Sequence, residues 1–152
     1  MSAFFADTFY WIALTNPKDA AHQEVMEFTA QLEPRSVITT DEVLIELLAY
    51  CASYPQLRRE AGLAVLDLQN DPDIQIVPQT RTGFLDALTL YNARPDKGYS
   101  LTDCISMQTM RREGIGEALT NDRHFEQEGF RALFRDTGWT HQQRAYAALA
   151  AG

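Results

Sequence analysis

Ala3-Phe4-Phe5-Ala6-Asp7-Thr8 is the stretch from which the fold is read. Its four apolar residues form a short run of the kind that makes a buried strand in a parallel sheet. An acid follows at once. Thr8 to Leu14 then reads as a short helix ending near Asn16-Pro17.

The same alternation recurs along the chain. From Ala20, the residues Ala21, Val25, Phe28 and Leu32 return at helical spacing until Pro34. Ser36-Val37-Ile38 is a second strand. Thr40 or Asp41 can cap the next helix, whose stripe is Val43, Leu44, Leu47, Leu48 and Cys51. Pro55 interrupts it, and Leu57, Ala61, Ala64, Val65 and Leu68 mark a further helix. The turn Asn70-Asp71-Pro72 leads into a third strand, Ile74 to Val77. Phe84, Leu88 and Tyr91 mark another helix, and Arg94 to Gly98 is a polar loop. Ser100 or Thr102 caps a helix through Arg112, which Gly114 stops. Ala118-Leu119-Thr120 is a fourth strand and Phe130 to Phe134 a candidate fifth. Short β-like runs separated by longer helices predict an α/β fold with a mostly parallel sheet.

Composition sets the outer bounds. A chain of 152 residues, 45% apolar and 22% charged, suits one soluble domain. No apolar run approaches the length that spans a bilayer, and Met1 to Ala6 lacks the basic start of a signal peptide, so a cytoplasmic protein is expected. The net charge of -8 argues against a broad basic surface for nucleic acid. It is compatible with an enzyme that meets phosphate through divalent cations, because clustered carboxylates reverse the sign of a site once metal binds. Cys51 and Cys104 show no metal-ligand spacing and read as buried, reduced thiols. His22, His124 and His141 are scattered, which argues against zinc, and His124 is expected to pack rather than ligate.

Four acids stand out by position. Asp7 follows the first strand and Asp122 the fourth, at the strand ends where open α/β sheets bind ligands. Asp103 shares a helical face with Met107 and Met110, and Glu46 borders the stripe of Val43 and Leu47. Each has a local reading too. Asp7 could cap the helix that begins at Thr8, Asp103 could be a first-turn helix acid, Asp122 a turn residue and Glu46 solvated surface.

The segments Phe5-Ala6-Asp7-Thr8, Thr39-Thr40-Asp41-Glu42-Val43-Leu44-Ile45-Glu46, Ser100-Leu101-Thr102-Asp103-Cys104 and Ala118-Leu119-Thr120-Asn121-Asp122-Arg123-His124-Phe125 resemble PIN domains in the same order. The likeness is strongest to the group that includes VapC-type toxins, and it extends from about Ala3 to Phe134. It implies a three-layer α/β/α sandwich around a mostly parallel sheet of four or five strands. It divides the chain into a nuclease-like domain, 1–135, and a C-terminal tail or short helix, 136–152. It also implies that Asp7, Glu46, Asp103 and Asp122 are the family's acidic quartet, with Asp41 and Glu42 lying close to the choice of Glu46. A small antitoxin partner and homodimerisation are implied as well.

Four crowded carboxylates raise one another's pKa unless a cation relieves the repulsion. Mg²⁺ or Mn²⁺, which favour oxygen ligands, is therefore expected, with Asp7 and Asp103 as first candidates for direct ligands. Thr8, Thr102 and Thr120 could bond the acids or their waters as outer-shell partners. Arg94, Lys97, Arg111, Arg112 and Arg123 flank the acids, and Arg111, Arg112 and Arg123 are the candidate RNA contacts. The expected function is metal-dependent hydrolysis of RNA phosphodiesters, with single-stranded or looped RNA favoured over duplex. The alternatives are a metal-dependent phosphohydrolase on a doubly wound fold and a non-catalytic PIN-fold interaction protein.

Overall fold

The computed structural model describes residues 3–135. The segment 136–152, expected to form a tail or short helix, and with it His141, lies outside the described residues. In chain order the elements are β1 (Phe4–Ala6), α1 (Thr8–Thr15), α2 (His22–Thr29), β2 (Val37–Thr40), α3 (Asp41–Cys51), α4 (Pro55–Leu68), β3 (Ile74–Val77), α5 (Arg81–Ala93), α6 (Leu101–Glu113), β4 (Glu117–Leu119), α7 (Arg123–Gln127) and β5 (Arg131–Ala132). The strands form one sheet in the order β3-β2-β1-β4-β5, and every pairing is parallel.

Every residue of β1 and β2 is buried. Successive strand side chains point to opposite faces, so burial of all of them means that both faces of the sheet are covered. The core gathers Phe5, Leu119 and Phe125 with Tyr10 and Trp11 of α1 and Met107 and Met110 of α6. Cys51 and Cys104 are free and buried, as expected. Among the described residues, no helix is long and apolar enough to cross a membrane.

Local chemistry fixes most element ends. The α3 cap is Thr40, whose Oγ1 accepts the Val43 N–H at 3.1 Å. Asp41, the other candidate, instead accepts the Gln79 N–H at 2.9 Å. Ser100 rather than Thr102 caps α6, and Gly114 stops it in the left-handed region at φ 70°. Thr40→Val keeps the side-chain volume and removes the capping oxygen. The expected cost is about 1 kcal/mol, read as a fall of about 3 °C in Tm; an unchanged melt would show the cap to be idle.

Three expectations need correction. The second helix is shorter than the span from Ala20 to Leu32, because bonds from Gln31 N to Phe28 O and from Leu32 N to Thr29 O tighten its end into turns. The α5 stripe is rotated: Phe84 and Tyr91 are 37% and 46% exposed, whereas Ala87 and Leu90 are buried. Ala87 and Leu90 lie on the face of α5 that is buried, and α5 packs on α6. The sequence reading also passed over α7, a single short helix begun by Asp122.

Candidate active site

The register of the sheet places the first pair of site residues. Ala6 of β1 is opposite Leu119 of β4, so Asp7 and Thr120 leave the sheet side by side. The Thr120 hydroxyl donates to Asp7 Oδ2 at 2.9 Å, and the Asp122 N–H donates to Thr120 Oγ1 at 3.2 Å. The two strands flank the point where the sheet order reverses, between β1 and β4.

Asp7 holds the N-cap position of α1, but its side chain makes no cap bond with that helix. The capping explanation therefore does not account for its carboxyl. On α3, Glu46 accepts a hydrogen bond from the Thr8 hydroxyl. Asp103 does serve its helix: its Oδ2 accepts the Ser100 N–H at 2.9 Å while the Ser100 hydroxyl accepts the Asp103 N–H at 3.0 Å. Asp122 likewise starts α7 by accepting the His124 N–H at 2.9 Å. The local readings of Asp103 and Asp122 are thus true as far as they go.

All four acids nevertheless line one cleft of about 670 Å³. Glu46 lines it and its neighbours Asp41 and Glu42 do not. Thr8 and Thr120 line the cleft, whereas Thr102, inside α6, does not. Phe9 and Ile12 give it an apolar wall, and Asn121, Arg123 and Arg135 complete the rim. Arg135 was not anticipated; it pairs with Glu126 at 3.7 Å.

Arg111 and Arg112 lie elsewhere. Both line a separate cleft beside Asp86, Thr89 and Gln108. Arg111 donates to Glu128 at 2.8 Å, and Arg94 grips the same carboxylate with two bonds at 3.2 and 3.0 Å. Of the three arginines expected at RNA, only Arg123 borders the acids.

Burial, first of all, pushes the Asp7 carboxyl from 3.8 up to about 7. The Thr8 N–H and the Thr120 hydroxyl oppose that shift, and the charges of Asp103 and Glu46 add to it. Asp103 is also raised, by burial and then by the Asp122 charge, against the bonds from Ser100. Among the described residues, none of the four acids has a Lys or Arg partner. Asp7 is buried, Asp103 and Asp122 are half-buried, and Glu46 is exposed, as its solvated-surface reading expected, yet it faces the same cleft. Carboxylates gathered without a cationic side chain are a donor set suited to a divalent ion.

His124 departs from expectation. Its Nδ1 lies 3.2 Å from Asp122 Oδ1 and 3.6 Å from Asp103 Oδ2. The three side chains form a group whose donor atoms all lie within 4.8 Å of one another. The helical turn of α7 carries the histidine back over its own cap residue, which a spacing of two in sequence does not reveal.

The family profile described as the PIN domain matches residues 4–130. VapC20 of Mycobacterium tuberculosis, described as a 23S rRNA-specific endonuclease, is 28% identical over 130 residues, covering 83% of this chain and 94% of that protein. The crystal structure of VapC20 from M. tuberculosis, described as a sarcin-ricin-loop-cleaving toxin, aligns with a TM-score of 0.76 at 26% identity, over 84% of this chain and 96% of that one. A chain of a toxin-antitoxin complex from Klebsiella pneumoniae shares the fold, with a TM-score of 0.57 at 15% identity over 80% and 88% of the two chains.

Proposed function

Because the chain belongs to the PIN domain family, we propose that it is a divalent-metal-dependent endoribonuclease of the toxin type. One observation carries the proposal: acids from four distant segments, Asp7, Glu46, Asp103 and Asp122, line one cleft at the carboxyl ends of β1 and β4. The likeness to a ribosomal RNA endonuclease over most of both chains supports RNA as the substrate.

In this reading Asp103 and Asp122 hold Mg²⁺ or Mn²⁺, and Asp7 and Glu46 complete the site directly or through water. A bound divalent ion supplies a Lewis acid for the phosphodiester and makes a nearby water more acidic. Asp7, which burial holds above the ordinary carboxylate range in the metal-free fold, would give up its proton as an ion binds beside it. Thr120 fixes the rotamer of Asp7, and Thr8 that of Glu46. Arg123 and Arg135 receive the phosphates flanking the scissile bond. With so few cations at the rim, looped or single-stranded RNA fits better than duplex. A cytoplasmic site of action, an antitoxin partner and self-association belong to the same proposal.

The test is incubation of the purified chain with ribosomal RNA and with duplex DNA, in Mg²⁺, in Mn²⁺ or in EDTA. Discrete RNA fragments that vanish in EDTA are expected, with DNA left whole. Cleavage that persists in EDTA, or none with either metal, would defeat the proposal. Expression should arrest a bacterial host, and the arrest should be relieved by Asp7→Asn.

A further inference from the structure

We propose that His124 is a nitrogen ligand of the metal site, so that Asp103, Asp122 and His124 together bind Mn²⁺ in preference to Mg²⁺. This inference rests on the metal-dependent reading above and adds to it a residue outside the acidic quartet.

The geometry sets His124 apart from a packing histidine. Its Nδ1 is shielded from solvent and has no hydrogen-bond partner, although Asp122 Oδ1 is only 3.2 Å away and Asp103 Oδ2 3.6 Å. A histidine placed to bond either carboxylate would point its N–H at an oxygen. Atoms that share a metal at about 2.1 Å behave differently: they stand roughly 3.0 to 3.5 Å apart and aim at a common point between them. Asp122 Oδ1 stands from Nδ1 at such a separation, and Asp103 Oδ2 lies just beyond it. An unpaired buried ring nitrogen costs free energy, and a cation held between the three groups removes the cost.

The ring is also held from behind. Tyr99 stacks edge-on against it, with centroids 5.4 Å apart. The Tyr99 hydroxyl is anchored by a 2.8 Å bond to Glu128. Gly98, at φ 74°, brings its backbone to the Nε2 side of the ring, where an added Cβ would come within 3.8 Å. The imidazole therefore presents Nδ1 to the two carboxylates. Imidazole suits the later divalent metals better than Mg²⁺, which holds to oxygen ligands and water.

Pulsed electron paramagnetic resonance on the protein loaded with Mn²⁺ alone reads the bond directly. Wild-type protein is expected to show hyperfine coupling to an imidazole nitrogen, and His124→Gln to lose it. Calorimetry should show Mn²⁺ binding to His124→Gln weakened on the order of 10- to 100-fold, with Mg²⁺ binding changed far less. If wild-type protein binds Mn²⁺ without nitrogen coupling, or if the coupling survives in His124→Gln, the ligand assignment is overturned while the metal-dependent reading stands. If wild-type protein binds Mg²⁺ but no Mn²⁺, the ligand assignment alone is overturned; if it binds neither, both are. The wild-type spectrum decides the matter even if the variant folds poorly.

Discussion

Asp7→Asn should abolish RNA cleavage and at the same time make the metal-free protein more stable at pH 8. The two effects share one cause. Asp7 is 7% exposed, and burial is the main reason its carboxyl rises from 3.8 to about 7. In the unfolded chain the group ionises near 3.8; in the fold it holds its proton until about 7. Between those values the folded state binds more protons, so stability falls as pH rises through that window. Above it the full penalty of a buried charge remains. Asparagine keeps the shape, still accepts the Thr120 hydroxyl and carries no charge. The expected gain at pH 8 without metal is on the order of 2 to 4 kcal/mol, shrinking to nothing near pH 3.8, where Asp7 carries little penalty in the fold.

Saturating Mn²⁺ should narrow the difference, because an ion that binds only the folded wild-type protein stabilises it by mass action. Cleavage should drop by at least about 100-fold, the scale seen when one pre-organised electrostatic group is lost from an active site. Thermal melts at pH 4 and pH 8, with and without Mn²⁺, check the first effect, and fragment yield checks the second. An Asp7→Asn protein that melts lower than wild type at pH 8, or that cleaves normally, would contradict this account of the site.

The second large effect concerns an acid that does not line the cleft. Glu128→Ala should cost about 3 kcal/mol, the lower end of the range for breaking a buried ion pair. The Glu128 side chain is 4% exposed and accepts from Arg94, Arg111 and Tyr99 together. These donors come from the end of α5, the last turn of α6 and the loop between them, so one carboxylate ties three segments to the end of α7. The lower end applies because Arg94 and Arg111 keep about two-fifths of their side-chain exposure and can be resolvated.

The pH dependence runs opposite to that of Asp7. Burial alone would raise the Glu128 carboxyl, but its bonds to Arg111, Arg94 and Tyr99 outweigh that and hold it at about 2, below its ordinary 4.5. Its contribution is complete above 4.5 and is lost as pH falls through 2. Chemical denaturation at pH 7 and pH 3 measures both features. Loss of less than about 1 kcal/mol at pH 7 would place Glu128 among ordinary surface acids.

Where several residues of the candidate site would sit was legible from short stretches of sequence. The strand-end positions of Asp7 and Asp122 were legible because an acid directly after a short apolar run lies at a strand end, and a strand end is set by its own few residues. Thr40, Ser100 and Gly114 were found because caps are bonds between residues a few positions apart. Glu46 could not be separated from Asp41 and Glu42 by such signals. Its position facing Thr8, 38 residues away, distinguishes it from them.

The strand-helix alternation, the α/β class and the acids at the strand ends were determined by the sequence alone, because each follows from hydrogen bonds and side-chain periodicity within a turn or two. The tertiary structure decided what those acids meet. Asp7 and Thr120 are 113 residues apart and touch only because β1 and β4 pair in one register. Arg111 meets Glu128 rather than the cleft because it lies in the last turn of α6, beside the end of α7, whereas Asp103 lies in the first turn. His124 came beside Asp103 because α7 folds back on α6. Contacts of that kind depend on packing between distant segments, and no local pattern encodes them.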